Sequence, residues 1–338
     1  MRRDALVERL DEYFGTQAVR DDEWEDLFEL VYPDPYWREY AEPGYEGRWN
    51  GLLMRGADDV DRVVTCVFPS DRVVGLLEPG TFLFSEHPID YGDGPGFLPL
   101  ARETFERMRR DGISFYNVHA PIDHHPEVSP SRLCAAAMGV PVEDEYFPIA
   151  KGIGGGAAVI GPSDATVDEL AARLGADLGP EVPVQVVRRR AGTDAAGRVA
   201  VVGGGGADRE ALAESLSRGC ETFVTGGVFT RWAAEFMALA EERDIAVIDG
   251  THYGTEVPPQ RAMAGWFRAL GLEAEFVPDG PKLSSDHPRS AGTLRGRGCN
   301  QDLADSARDG DRPRSAHAGR LQRAPDPSAR VWAVPRRV

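Results

Sequence analysis

The sequence predicts an α/β fold with mainly parallel strand pairing, on three observations. Short apolar, β-prone runs alternate along the chain with segments of helical periodicity. One stretch, residues 198–249, reads strand–helix–strand–helix–strand, the pattern of parallel strands joined by crossover helices. The length of 338 residues, 42% of them hydrophobic, is enough for two domains and a sizeable core.

Taken in order, residues 1–31 read as an amphipathic helix with Leu6, Leu10 and Phe14 at helical spacing, then an acidic helix stopped by Pro33 and Pro35. Strands are expected at 51–55, 63–67 and 81–84. A helix over 100–110 precedes a strand at 113–118, and Ser129 ahead of Pro130 caps a helix to about Met138. Gly152–Gly156 leads into an apolar run at 157–160, a helix near 167–174 and a β-prone run at 184–187. The strand at 198–202 enters four glycines, and the helices 208–218 and 231–243 alternate with strands 221–225 and 245–249. A helix at 261–270 and a strand at 273–277 close the pattern. This divides the chain into a first α/β domain (1–130) and a second α/β region (131–283) whose end, after about 245, can pack back on the first. The tail, 284–338, has few periodic apolar positions and reads as disordered or as a non-native extension.

Charge narrows the function. The net charge is −17, yet the last 55 residues carry 11 Arg against 6 Asp, so the rest of the chain holds the whole deficit and more. Such a field repels nucleic acid and anionic membranes. Cys66, Cys134, Cys220 and Cys299 show no CxxC spacing, which favours reduced thiols over a disulfide framework or a thiolate–zinc site. No apolar leader or membrane-length run occurs, so a cytoplasmic location is expected.

The chemistry is concentrated in histidine. Of seven histidines, the five before residue 284 fall in three acidic segments that follow predicted strands: Ser85-Glu86-His87-Pro88, His119 to Pro126, and Thr251-His252-Tyr253-Gly254-Thr255-Glu256. Ligands in open α/β sheets sit at the carboxyl ends of strands. Imidazoles and carboxylates at three such ends point to one metal site, with His87, Asp123, His252 and Glu256 as ligands and Glu86 as a further candidate. The His252/Glu256 pair is expected to span a strand end and a helix start at Pro258–Pro259. His119 is either a ligand or the group that orients one, whereas His124 and His125 are explained by an exposed turn before Pro126. Mixed N/O donors suit Zn, Mn, Fe, Co or Ni alike. Gly203–Gly206 could present amides to a phosphate or serve close packing, and it matches no dinucleotide or Walker fingerprint.

These segments resemble the NGG-one-interacting-factor-three-like family, also described as type 2 GTP cyclohydrolase I-like proteins. The resemblance rests on Trp49-Asn50-Gly51-Leu52, Glu86-His87-Pro88, His119 and Asp123 with His125-Pro126-Glu127, Gly203–Gly206, Val224-Thr225-Gly226, and the His252–Glu256 segment. It implies two similar α/β domains with an interdomain cleft, two divalent ions per chain, and a ring-shaped homo-hexamer. His87, Asp123, His252 and Glu256 fall on the family's ligand positions, with Asp123 or Glu256 bridging. The family usually has His-His-Pro where this chain has Glu86-His87-Pro88, a change that adds negative charge and favours a harder ion. The expected activity is metal-dependent hydrolysis of a nucleotide-like or phosphorylated small molecule, with His119 catalytic. The alternative is a non-catalytic metal-binding regulatory or scaffold protein.

Overall fold

The computed structural model describes residues 1–92, 96–150, 152–230 and 233–283. The expected tail at 284–338 and the first two residues of the helix expected at 231–243 lie outside the described residues. Helix α1 (Arg3–Phe14) buries Leu6, Leu10 and Phe14 and ends on Gly15, whose φ of +64° suits glycine. Helix α2 (Glu23–Val31) carries three acids in its first turn, favourable at a helix N-terminus, and buries Trp24, Leu27 and Phe28.

The first half continues as β1 (Gly51–Met54), β2 (Arg62–Cys66), α3 (Asp71–Leu76), β3 (Phe82–Ser85), a ribbon of β4 (Asp90–Gly92) and β5 (Gly96–Leu98), α4 (Arg102–Arg110), β6 (Ser114–Asn117), α5 (Ala120–Asp123) and α6 (Pro130–Met138). The second contains β7 (Asp144–Tyr146), β8 (Ala158–Thr166), α7 (Val167–Leu178), β9 (Gln185–Arg188), β10 (Ala195–Val202), α8 (Arg209–Ser217), β11 (Thr222–Thr225) and α9 (Ala234–Glu242). The elements β12 (Ala246–Asp249), α10 (His252–Ala269) and β13 (Glu273–Phe276) complete it.

Apart from the β4–β5 ribbon, the strands form two sheets. The first has the order β1-β6-β3-β2-β13, parallel except for β1 at one edge. The second has the order β7-β8-β10-β11-β12-β9. There β10, β11 and β12 are parallel, while β7, β8 and β9 pair antiparallel. The second sheet is therefore mixed, where mainly parallel pairing was expected. The sequence signal came from its centre: β11 and β12 are buried throughout and read as continuous apolar runs, whereas edge strand β9 is half-buried and carries no such signature.

Helix α10 joins the two sheets. Every residue from Tyr253 to Gln260 is buried. Its first half places Tyr253 and Val257 in a core with Val199, Val201, Val224 and Ile248 of the second sheet and with Val67 and Phe68 beyond β2. Its second half places Met263 and Phe267 against Leu6, Leu10, Val63, Phe82, Phe84 and Tyr116. The chain then returns to the first sheet as β13, beside β2. Burial of these apolar side chains, at about 1.5–3 kcal/mol each, fixes the helix that carries the last two site residues.

Candidate metal centre

Each group of site residues stands just beyond a buried strand. After β3, the N–H groups of Glu86 and His87 donate to the carbonyls of Cys66 (3.4 Å) and Val67 (3.2 Å), so the β2–β3 ladder continues into the loop. After β6, the His119 N–H donates to Asn50 Oδ1 at 2.8 Å. Asn117 Nδ2 donates to the Trp49 carbonyl at 3.1 Å. The Trp49-Asn50 pair thus clamps the backbone that presents His119, and one turn further α5 carries Asp123. After β12, Thr251 adopts φ +63° and its side chain caps α10 by accepting the Gly254 N–H at 2.9 Å.

That cap starts α10 at His252, six residues before the start expected at Pro258–Pro259. The prolines sit inside the helix, in its second turn. There they withdraw amides from the Gly254 and Thr255 carbonyls, and the Cys134 thiol donates to the Thr255 carbonyl instead (3.5 Å). The consequence is functional: His252 and Glu256, four apart on one helix, share a face.

Glu256 is the hub. Its Oε2 lies 2.9 Å from His87 Nε2 and its Oε1 3.0 Å from His252 Nε2. One donor atom from each of His87, His252 and Glu256 falls within 4.8 Å of the others. Burial alone would raise the Glu256 carboxyl, but the two imidazoles pull it down to about 2. Burial pushes His87 down to about 4, against the pull of Glu256. Glu86 is fully buried; burial, then Glu256 and Asp123, push its carboxyl well above the ordinary range. Burial likewise takes Asp123 up to about 8, opposed by His119.

These residues fit divalent cations. Three carboxylates and two imidazoles are gathered here, and Glu86 and Asp123 are driven to hold protons that a cation would displace. Glu86 Oε1 and His87 Nδ1 are buried with no hydrogen-bond partner among the described residues. Gln260 Nε2 donates to the other oxygen of Glu86, Oε2, at 3.2 Å. Buried acceptors left unsatisfied are costly unless a cation or water faces them.

His119 lies beside this group, its ring centroid 5.1 Å from that of His87. Its Nδ1 meets Asp21 Oδ2 at 2.7 Å, and its Nε2 is 3.9 Å from Asp123 Oδ2. Burial would depress the imidazole, but Asp21 outweighs it and carries it up to about 10. His124 and His125 are turned elsewhere. His124 Nε2 accepts the Ile149 N–H at 3.2 Å, and His125 Nδ1 accepts those of Glu127 (3.2 Å) and Val128 (3.4 Å). His125 stitches the turn before α6 and His124 ties it to the segment around Ile149 and Gly154, and both are buried rather than exposed as the sequence suggested.

The Gly203–Gly206 loop serves close packing. A Cβ on Gly204 (φ +67°) would sit 2.3 Å from Glu256 Oε1, and one on Gly203 2.5 Å from the Pro130 ring. The Gly204 N–H donates to Thr255 Oγ1 at 2.8 Å, leaving it no part in a phosphate cradle.

Sequence reasoning overlooked Asp21, Glu23, Trp24, Phe68 and Gln260. Phe68 stacks on His87 at 4.2 Å, and Trp24 stands edge-on to both His87 (5.7 Å) and His119 (5.0 Å). Burial takes the carboxyl of Glu23 up to about 7, opposed by His119. The Asp21-Asp22-Glu23 run was the available signal, but it reads as an ordinary acidic helix start. On the far side, His252 together with Tyr91, Phe229, Thr251 and Lys282 lines a small cleft of about 10 Å³, roughly the space of one water.

The sequence model of Duf34/NIF3 (NGG1p interacting factor 3) matches residues 37–278. Among similar proteins, the GTP cyclohydrolase 1 type 2 homolog of Escherichia coli K12 is 28% identical over 242 residues, covering 68% of this chain and 88% of that protein. The homolog of the same name from Pyrococcus horikoshii is 26% identical over 285 residues, covering 82% and 98%. TTHA1606 from Thermus thermophilus superposes with a TM-score of 0.59 at 24% identity, covering 84% of this chain and all of that one. Reduced HcgD from Methanocaldococcus jannaschii gives 0.54 at 19% identity, covering 77% and 98%. These two structures share the fold. No helix among the described residues is long and apolar enough to cross a membrane.

Proposed function

The chain belongs to the Duf34/NIF3 family, and from that premise we propose that it is a dinuclear-metal hydrolase acting on a nucleotide-like or phosphorylated small molecule. The observation that carries the reading is Glu256 held between His87 and His252 (2.9 and 3.0 Å), with Glu86 and Asp123 buried beside it. Glu256 and the two imidazoles would hold one divalent ion, and Glu86 and Asp123 would extend the donor set to a second. Bound there, divalent ions supply Lewis acidity and bring the pKa of water from about 15.7 towards 7.

The protein's own groups do the rest. With its charged form disfavoured by cations held beside it, His119 has Nε2 free to accept the proton of the attacking water and return it to the leaving group. Phe68 and Trp24, buried against the imidazoles, exclude bulk water from one side. The names of the E. coli and P. horikoshii relatives are consistent with a guanine nucleotide as the substrate.

Elemental mass spectrometry on protein purified without chelator tests the metal, and a screen of nucleotides, cyclic nucleotides and phosphoesters tests the chemistry. Close to two ions per chain and turnover of one substrate class are expected. A metal-loaded protein inert to the whole screen would leave the non-catalytic reading.

A further inference from the structure

The residues that match the family begin at 37, yet a segment ahead of them reaches into the site. Asp21, 2% exposed, accepts three hydrogen bonds on one oxygen, Oδ2: from His119 Nδ1 at 2.7 Å, Trp24 Nε1 at 3.1 Å and the Ala120 N–H at 3.2 Å. An ionised carboxylate only accepts, so the imidazole nitrogen facing it carries hydrogen. The other ring nitrogen, Nε2, then stands on the side of Asp123 Oδ2, 3.9 Å away.

Little around this contact can relax. The Asp21 N–H donates to the Arg48 carbonyl at 3.1 Å, which ties the segment to the loop ahead of β1. Trp24 is 1% exposed and wedged edge-on against His119, His87 and Phe97. The backbone of His119 is itself held by Asn50. The ring is therefore fixed from its own main chain and from Nδ1, and only Nε2 is left for chemistry.

We propose that Asp21 is a positioning residue that orients His119 through Nδ1, and that the turn from Asp21 to Trp24 is a functional wall of the site. The inference rests on the reading of His119 Nε2 as the proton acceptor. It assigns a role to a part of the chain that lies outside the family-matched region. A carboxylate behind an imidazole fixes which nitrogen bears the proton and keeps the ring in one plane, and loss of such a partner typically lowers function 10- to 100-fold.

The test is nuclear magnetic resonance of the full chain labelled with 15N-histidine and freed of metal, with His119→Gln used to assign the His119 signals. His119 is expected to show a proton on Nδ1 across pH 6–9, shifted downfield and slow to exchange. Asp21→Asn, which keeps size and an acceptor but loses the charge, should speed that exchange at least tenfold. Asp21→Ala should abolish the Nδ1 proton signal and populate the opposite tautomer. Trp24→Phe removes a competing donor and should leave the signal in place. A wild-type ring carrying its only proton on Nε2, or Asn and Ala variants indistinguishable from wild type, overturns the proposal. If the Ala variant does not fold, the isosteric Asn variant decides alone. Metal content of the wild-type preparation, read separately, keeps the two ideas apart. A fixed Nδ1 proton in a protein that takes up no metal upholds the positioning and sinks the hydrolase reading, and metal uptake with a mobile ring does the reverse.

Discussion

The metal-free protein should lose stability as pH rises through neutrality, and divalent ions should reverse the loss. Asp123, at about 8 in the folded chain against 3.8 ordinarily, keeps a proton on folding that the unfolded chain has released. A carboxyl raised in this way stabilises fully below its unfolded value, and that stability is lost as pH rises towards the folded one. His119, raised to about 10 from 6.5, adds a loss of the same sign between those values. The opposing groups have finished their changes lower down: His87, depressed to about 4, gains stability only up to about pH 6.5, and Glu256, at about 2, only up to about 4.5. Between pH 6.5 and 8, Asp123 alone at about 1.4 kcal/mol per unit removes about 2 kcal/mol. At about 2–4 °C per kcal/mol for a chain of this size, the melting temperature in chelator should fall roughly 4–8 °C. Metal competes with those protons. An ion at 100 times its Kd contributes about 2.7 kcal/mol, so the gap between chelated and Mn- or Zn-loaded protein should widen with pH. Scanning calorimetry at several pH values, with chelator and with each ion, measures both. A chelated melting temperature that is flat or rising from pH 6.5 to 8, or a gap that narrows, would refute the buried-carboxylate argument.

Further outcomes follow from single positions. Asp123→Asn and Glu256→Gln should each lower metal content to half of wild type or less by elemental mass spectrometry, Glu256→Gln more severely because it faces both imidazoles; full occupancy in both would remove the assignment. Glu86→His replaces a buried carboxylate by a softer donor and should shift the Zn-over-Mn preference upward on the order of tenfold in competition titrations; an unchanged ratio places Glu86 outside the ligand set. Gly204→Ala should cost about 1–3 kcal/mol and lower metal affinity, because its Cβ would meet Glu256 Oε1 at 2.3 Å. Gly219→Ala, at φ +77° with nothing within 4 Å, should show only the backbone cost of about 1 kcal/mol and leave metal binding alone.

The alternating pattern of residues 198–249 made the parallel centre of the second sheet legible because β11, β12 and the Val199–Val202 end of β10 are buried on both faces. The same logic could not see β9 or the antiparallel partners of β10, since an edge strand needs no continuous apolar run. At the site, Glu86, His87, His119, Asp123, His252 and Glu256 were visible from residue type and from their places after strands, which is a property of the chain alone. The start of α10 was not. Pro258 and Pro259 read as a helix beginning, and only the Thr251 cap and the Cys134 thiol show how the helix begins six residues earlier. Nor could spacing reveal Asp21, which is 98 positions from the imidazole it holds. Local sequence thus determined which side chains carry the chemistry and which strands present them. Tertiary structure decided which atoms meet, because the contacts between Glu256 and His87 and between Asp21 and His119 exist only once α10 and the segment ahead of α2 are packed against the first sheet.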